Sequence, residues 1–203
     1  MKLQTNLLIG KEQQEEKEEK KERHVEKKVE SRQTKHAKQA KQMHELPKKR
    51  VAVIRIKGKP GLRRDVKETF YLMRLYKKNN CTIIPNTPSY IGMLNKIKDS
   101  TTWGEIDFET IKQLLQKRGK LPGNRPLTEQ YVREKLNCTL DEFIKEYMDF
   151  KREITDIPGL KPFFKLNPPR KGFEAKGVKV QFSMGGVLGY RKDKINDLIR
   201  RMV

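Results

Sequence analysis

Residues 51–98 read VAVIRIKGKPGLRRDVKETFYLMRLYKKNNCTIIPNTPSYIGMLNKIK, and this stretch decides the fold. Residues 51–57 are mostly apolar and β-branched, which predicts a strand, and the Gly and Pro residues of 58–61 end it. From Leu62 onward the apolar residues recur at helical spacing, and this periodicity predicts a helix that runs up to the Asn pair at 79–80. The first half of the stretch is therefore predicted to be a strand followed by an amphipathic helix.

The second half of the stretch repeats this order. Residues 81–84 are apolar and β-branched, which predicts a short second strand. Thr87 followed by Pro88 is typical of a helix start, with a hydroxyl at the N-cap and proline at the first helical position. The whole stretch is therefore predicted to form a β-α-β-α unit.

The same stretch carries a large excess of positive charge, eleven Lys and Arg against two acids. Part of this charge falls on one arc of the first helix, beside its apolar face, at Arg63, Lys67, Arg74, Lys77 and Lys78. A unit that buries one face and presents cations on another indicates a polyanionic ligand. The residues predicted to contact phosphates are Lys57, Lys59, Arg63, Arg64, Lys67, Arg74, Lys77, Lys78, Lys96 and Lys98.

Composition supports a polyanion-binding role for the whole chain. Its 203 residues carry a net charge of +21, so nucleic acid, an acidic protein and an anionic membrane are the candidate partners. No run approaches the ~18 apolar residues of a membrane span, and the apolar run 7–9 is too short for a signal peptide. The two cysteines, Cys81 and Cys138, form no C-x-x-C pair and predict a reducing compartment. We therefore expect a soluble, cytoplasmic protein.

Residues 1–50 have a different composition and are interpreted as a basic N-terminal arm, helical or partly disordered. Glu, Lys, Gln and Arg dominate from residue 11 onward, so helix propensity is high, but the apolar residues form no wide stripe. A coiled coil is the alternative, and the arm lacks the sustained heptads that it needs. Its three histidines, His24, His36 and His44, have no accompanying cysteines or paired carboxylates, so no metal site is expected.

Residues 99–157 differ in charge from the segments on either side, with twelve acids against ten bases. Their pattern predicts short helices. Asp107 and Thr128 are candidate N-caps, and Thr139 with Glu142 matches the S/T-x-x-E capping box. We interpret this segment as a helical insertion that packs on the core and faces away from the polyanion.

The C-terminal segment, residues 158–203, is again basic. Residues 160–166 predict a third strand, and Asp193 is a candidate cap for a last helix with apolar residues at i, i+3, i+4 and i+7 from Ile195. Between them, glycines alternate with basic and aromatic residues, which is typical of a loop pressed against RNA. An ordinary glycine-rich surface loop is the alternative. The residues of this segment predicted to bind RNA are Arg170, Lys171, Phe173, Lys176, Lys179, Tyr190 and Arg191.

Several short motifs follow one another in a defined order along residues 51–203. They are Thr87-Pro-Ser-Tyr-Ile-Gly-Met-Leu-Asn-Lys-Ile-Lys98, Thr102-Trp-Gly104, Lys117-Arg-Gly119, Pro162-Phe-Phe-Lys-Leu166, Pro168-Pro-Arg170, and Gly185-Gly186 leading to Gly189-Tyr-Arg191. The first resembles a T-P-x-x-x-G-M-[IL]-x-K-[VI] helix. Together and in this order, the motifs resemble the large-subunit ribosomal protein thirty family in its archaeal form, whose eukaryotic counterpart is called ribosomal protein seven.

The resemblance implies an α+β fold. Its core would be β-α-β-α-β, related to the ferredoxin-like fold, with a small antiparallel sheet and the helices on one face. The third strand would be residues 162–166, so the helical insertion would precede it. Two positions depart from the family pattern. Lys171 stands where many relatives have glycine, and Ile91 stands where the bacterial form has a basic residue.

The resemblance also implies a structural constituent of the large ribosomal subunit that binds and stabilises ribosomal RNA and so supports translation. Such a protein has no catalytic activity and needs no cofactor, metal or small-molecule substrate. Neighbouring large-subunit proteins would be reached through the arm or the helical insertion.

Three other functions fit the sequence less well. An enzyme would have to work without histidine, which residues 51–203 lack, and Gly58-Lys-Pro-Gly61 has no P-loop frame. A membrane-surface protein would need an apolar face that the arm lacks. A free-standing RNA chaperone or regulator would use the same basic face, and it is the principal alternative.

Overall fold

The computed structural model describes residues 49–174 and 176–203. Within them, five strands and six helices follow in mixed order. The strands are β1 (Arg50–Arg55), β2 (Asn80–Pro85), β3 (Thr101–Glu105), β4 (Phe164–Lys165) and β5 (Gly189–Tyr190). The helices are α1 (Arg64–Leu72), α2 (Pro88–Ile97), α3 (Phe108–Arg118), α4 (Glu129–Leu136), α5 (Leu140–Met148) and α6 (Ile195–Met202). The predicted arm, including its three histidines, lies outside the described residues as far as position 48.

The strands form one sheet in the order β4-β2-β1-β3-β5. The central strand β1 is antiparallel to both neighbours, with Val53 opposite Thr82 on one side and opposite Trp103 on the other. At the edges, β4 is antiparallel to β2 and β5 is parallel to β3. The predicted antiparallel sheet is therefore confirmed for four strands, and one parallel edge strand is added to it.

Helices cover both faces of this sheet, which explains why residues 51–54 of β1 are all apolar. Successive side chains of a strand point to opposite faces. Val51 and Val53 pack in one buried cluster with residues of α1 and α2. Ala52 and Ile54 pack in a second cluster with residues of α3 to α6. The α+β class is confirmed, and the two helices of the β-α-β-α unit lie on one face, as the resemblance implied.

One prediction about strand order is wrong. Residues 101–105 were assigned to the helical insertion, but they form β3 and pair along the whole of β1. Their sequence, Thr-Thr-Trp-Gly-Glu, is β-branched and aromatic and suits a strand, whereas charge alone had grouped it with the acidic helices. The predicted strand at 160–166 is real only at Phe164–Lys165, where it is the fourth strand in the chain and pairs at an edge.

The first helix is shorter than predicted. It ends at Leu72 rather than at the Asn pair, because Arg74 adopts the left-handed conformation at φ 58°. The Leu75 N–H donates to the Phe70 carbonyl and the Arg74 N–H to the Tyr71 carbonyl, which is the Schellman pattern of a helix C-terminus. Lys77 and Lys78 consequently lie in the turn that follows, not on a helical arc.

Four of the predicted N-caps, Thr87, Asp107, Thr128 and Thr139, hold that position, but the Thr87 and Asp107 side chains make no capping hydrogen bond. Thr128 Oγ1 accepts from the Tyr131 N–H, and both halves of the Thr139–Glu142 capping box are present. Asp193 does not cap α6, because residues 192–194 form a 3-10 turn that runs directly into the helix. The apolar face of α6 is fully buried in the second cluster, as its spacing predicted.

The folded part begins one residue earlier than predicted. Arg50, assigned to the arm, is the first residue of β1 and is 1% exposed. Its guanidinium lies 4.0 Å from the Tyr147 ring centroid and 4.3 Å from that of Phe150, and it forms an ion pair with Glu153. This buried cation ties the sheet to the end of α5.

Candidate nucleic-acid interface

The register of the sheet brings the predicted cations to one end of it. β1 and β4 finish at this end, and β2, β3 and β5 begin there, since Arg55 pairs with Thr101, Asn80 with Lys165, and Thr102 with Gly189. We call it the cationic end of the sheet. The segments that enter or leave it carry Lys57, Lys59, Lys77, Lys78, Lys96, Lys98, Arg170, Lys171, Lys176 and Lys179. Residues 64–72 of α1 lie in the connection between β1 and β2, whose ends meet there.

Most of these cations are exposed and unpaired. All ten are at the surface, Lys57 being half-buried, and none forms an ion pair with a carboxylate of the described residues. Arg63 and Arg64 are exposed beside acids, Arg63 at 3.8 Å from Asp65 and Arg64 at 3.0 Å from Glu68. Such exposed pairs are weak and exchange readily for a phosphate.

Away from the cationic end, some cations are matched by acids. Lys49 binds Glu105 at 3.1 Å, and Arg200 binds Glu109 at 3.3 Å. Others, such as the exposed Lys192 and Lys194 after β5, form no ion pair with a carboxylate of the described residues, so unpaired positive charge gathers at the cationic end without being confined to it.

Arg55 holds this surface together from inside. It is 2% exposed, and its guanidinium lies 4.1 Å from the Phe70 ring centroid. It donates to the carbonyls of Lys57, Gly58 and Leu75 at 2.9, 3.0 and 2.8 Å. These bonds fix the loop after β1 against the turn before β2, and burial lowers the pKa of Arg55. The sequence signal was available, since Arg55 interrupts an otherwise apolar strand.

Two open clefts bring several predicted residues together. Lys57, Arg63 and Lys96 line one of about 470 Å³, formed by the loop after β1 and the end of α2. Lys59 and Lys67 line another of about 180 Å³, formed by α1, the loop after β1 and the residues that follow α1. The helix ends before Arg74, so Arg74, Lys77 and Lys78 do not share the predicted helical arc with Arg63 and Lys67.

Arg191 is a correction to the predicted site. It is 2% exposed, and its guanidinium binds both carboxylate oxygens of Glu174 and donates to Thr102 Oγ1 at 2.8 Å and to the Val187 carbonyl at 3.0 Å. It also lies 4.6 Å from the Phe182 ring centroid. With its donors used inside the protein, Arg191 anchors the C-terminal loop and is not available to RNA.

Glu174 is the acceptor of that anchor. Partial burial acts to raise its pKa, but the hydrogen bonds and positive charge of Arg191, with the charge of Arg201, hold the pKa below its usual value. The ion pair from Arg201 measures 3.3 Å. Glu174 therefore stays ionised at neutral pH and fixes the segment that leads from Arg170 to the next strand.

The two predicted aromatic contacts differ in exposure. Phe173 is half-buried and packs against the core cluster, which leaves little of its ring for a base. Tyr190 is 46% exposed, and its hydroxyl donates to Glu105 at 3.1 Å. Burial and this bond to Glu105 raise the pKa of Tyr190 to about 12. Tyr190 keeps an accessible ring, but it lies at the opposite end of its strand from the cationic end.

The described residues include no cluster of His, Cys, Asp and Glu that could hold a metal ion. Within the same residues, no helix is long and apolar enough to cross a membrane. Cys81 is fully buried, and burial raises its pKa to about 12, so its thiol is unreactive.

Comparison with known proteins agrees with this architecture. The family described as "Ribosomal protein L30p/L7e" matches residues 51–100. "Large ribosomal subunit protein uL30" of Methanopyrus kandleri is 48% identical over 149 residues, covering 73% of this chain and 100% of that protein. The proteins of the same name from Archaeoglobus fulgidus and Nanoarchaeum equitans are 45% and 43% identical over 152 residues, covering 74% and 75% of this chain and 98% and 97% of those proteins. On this evidence the chain belongs to the ribosomal protein L30p/L7e family.

Proposed function

We propose that this protein is a structural constituent of the large ribosomal subunit and that it binds ribosomal RNA through the cationic end of its sheet. The observation that carries the proposal is the convergence of unpaired cations from both basic segments of the chain on one end of the sheet. Residues 51–203 form the RNA-binding domain, and residues 1–50 are an arm available to RNA or to neighbouring proteins of the subunit. The site of action is the cytoplasmic ribosome.

The charge distribution supports RNA as the ligand. Segments 51–98 and 161–203 contain eleven Lys and Arg each, against two and three acids, whereas segment 99–157 has a small acidic excess. Phosphate binding by surface Lys and Arg releases counterions, which is the main source of affinity for nucleic acids. A binding surface of this kind needs no catalytic group, and the family is one of structural, non-enzymatic components.

The contacting residues follow from the exposed set. We propose that Lys57, Arg63 and Lys96 bind phosphates in the cleft that they share. The other proposed phosphate contacts are Lys59, Arg64, Lys67, Arg74, Lys77, Lys78, Lys98, Arg170, Lys171, Lys176 and Lys179. Phe173 is half-buried and the Tyr190 hydroxyl is bonded to Glu105, so both should contribute less to RNA binding than the sequence predicted.

Sedimentation of a gently prepared lysate tests the ribosomal role. The protein, detected by antibody across a sucrose gradient, should migrate with the large subunit and remain there through a moderate salt wash. Migration as a free light protein in cells with intact subunits would instead support the RNA chaperone or regulator.

A matched pair of variants tests the interface itself. Arg63→Ala combined with Arg74→Gly removes two cations of the proposed surface, and Arg125→Ala with Arg133→Ala removes two exposed cations of the helical insertion. Each lost phosphate contact should lower the salt slope of binding to deproteinised large-subunit RNA by ~0.7 to 0.9. We expect this change only in the first variant. Equal slopes in the two folded variants would reject the cationic end as the RNA-binding surface.

A further inference from the structure

The largest exposed apolar side chains of the described residues are neighbours on α1. Tyr71 is 70% exposed and Leu72 is 71% exposed. Tyr71 is the outer member of a row of aromatic rings. Its ring lies edge-to-face against Tyr76, with centroids 5.6 Å apart, and Tyr76 lies edge-to-face against Phe163 at 5.5 Å. The row gives Tyr71 a fixed orientation at the surface.

The fold itself does not account for this row. Tyr71, Tyr76 and Phe163 belong to neither of the two buried clusters, nor to the half-buried residues packed against them. A single exposed apolar residue is ordinary on a protein surface. Three linked rings beside an exposed Leu72 form a patch, and such patches mark interaction sites.

The surroundings of the patch are cationic. Tyr71 and Tyr76 line the cleft of about 180 Å³ together with Lys59 and Lys67, and Phe70, Leu75 and the buried Arg55 complete it. No acid lines this cleft. Glu68, which lies beside Tyr71 on the adjoining surface, is paired with Arg64 at 3.0 Å.

We propose that this cleft binds an unpaired nucleobase of RNA, stacked on the Tyr71 ring, with Lys59 and Lys67 at the flanking phosphates. An aromatic platform with cations beside it is the arrangement that proteins use for single-stranded RNA. A-form duplex RNA keeps its bases stacked inside the helix, so a ring at this position would have no base to bind there. The occupant is therefore a base of a loop, a bulge or a strand end.

Charge favours this occupant over an apolar peptide. Residues 57–78 contain eight Lys and Arg against two acids, so an anionic ligand is attracted to the cleft and most protein surfaces are not. This inference rests on the proposed function, because it names the form of RNA that the same protein binds next to its cationic end.

Three variants of the full chain separate stacking from charge. Tyr71→Leu removes the ring and keeps an apolar side chain, Leu72→Ala is the control at the adjacent exposed position, and Lys67→Ala removes a phosphate contact. Binding to deproteinised large-subunit RNA is measured over a range of salt concentrations. Tyr71→Leu should weaken binding by about 5- to 150-fold, the loss that corresponds to one stacked base, without changing the salt slope. Lys67→Ala should lower the slope, and Leu72→Ala should change neither quantity.

Ultraviolet crosslinking of assembled subunits supplies an independent measurement. Trypsin cleavage after Lys67 and Arg74 releases residues 68–74, and we expect this peptide to carry a nucleotide at Tyr71. If Tyr71→Leu binds RNA as the Leu72→Ala control does, the stacking site is wrong, while the proposed function stands as long as the wild type binds. Reduced incorporation into subunits at unchanged RNA affinity would assign the patch to a protein neighbour and overturn the inference. Absence of RNA binding by the wild type would reject the proposed function itself.

Discussion

The same substitution, Gly→Ala, should have opposite effects at two positions of this protein. A Cβ at Gly104 would lie 2.1 Å from the Lys192 carbonyl oxygen and 2.9 Å from the Ile195 Cβ. The first atom is backbone and the second is the Cβ of a buried side chain, so neither can rotate away. The steric clash can be relieved only if β3 separates from the turn before α6. Gly92 lies on the exposed side of α2, and a Cβ there would meet nothing within 4 Å.

The expected free energies follow from these distances. Overpacking in a close-packed interior costs about 1–3 kcal/mol, and the contact with a backbone oxygen places Gly104→Ala near the upper half of that range, about 2–3 kcal/mol. Glycine inside a helix is about 0.5–1 kcal/mol less favourable than alanine, so Gly92→Ala should stabilise by that amount. At ~2–4 °C per kcal/mol for a chain of this size, Tm should fall by about 4–12 °C and rise by about 1–4 °C, respectively.

Thermal unfolding of both variants and the wild type, followed by circular dichroism in one buffer, measures the two shifts. A rise in Tm for Gly104→Ala would contradict the close approach of β3 to residues 192–195. A fall for Gly92→Ala would show that the position is packed in the free protein. The expected pattern would also mean that glycine at position 92 lowers the stability of α2 although nothing packs against it, on an exposed surface next to Lys96.

Three further predictions concern single side chains. Arg74→Gly should raise the free energy of unfolding by about 1 kcal/mol, because a non-glycine residue in the left-handed region is strained, and it should also weaken RNA binding. Urea titration measures the stability and filter binding measures the affinity, and a loss of stability would contradict the Schellman assignment. Glu174→Gln should destabilise by about 1.5–3 kcal/mol at pH 7, since it removes a charged partner of the buried Arg191. Because the pKa of Glu174 is lowered in the folded protein, its contribution to the free energy of unfolding is present above the unfolded pKa, about 4.3, and is lost as pH falls through the folded pKa. The difference in free energy of unfolding between wild type and variant should therefore disappear below about pH 4. A constant difference down to pH 3 would assign the effect to packing. Lys165→Ala, at the exposed end of β4, should lower the salt slope of RNA binding although sequence patterns did not select it; an unchanged slope would place the edge of the interface inside β4.

Local sequence patterns predicted the elements that depend on local physics. β1, β2, α2 and the three insertion helices were predicted near their observed positions, because apolar periodicity, capping side chains and Pro-Gly breaks act within a few residues. β3 was missed although its sequence suits a strand, because its charge grouped it with the acidic insertion. Its five residues follow α2 after a single 3-10 turn, and pairing with β1 and β5 places them in the sheet. The early end of α1 depends on one residue, Arg74, in a conformation that its type does not favour.

The accessibility of the predicted site residues was predicted less well than the fold, because accessibility is a tertiary property. Arg191 and Lys192 are adjacent basic residues, yet one is buried against Glu174 and the other is exposed. Nothing in the local sequence distinguishes them. Arg55 is the opposite case. It is a single cation among the apolar residues of a strand, and that local pattern indicates that it is buried.

By itself, the sequence determined that this is a basic α+β protein with a polyanionic partner, because net charge and apolar periodicity are sums over residues that need no coordinates. The motifs in order were sufficient to indicate its family. Only the tertiary structure decided which cations lie together. Strand direction and register place the end of β1 beside the starts of β2, β3 and β5, and so collect on one surface lysines that lie more than a hundred residues apart in the chain.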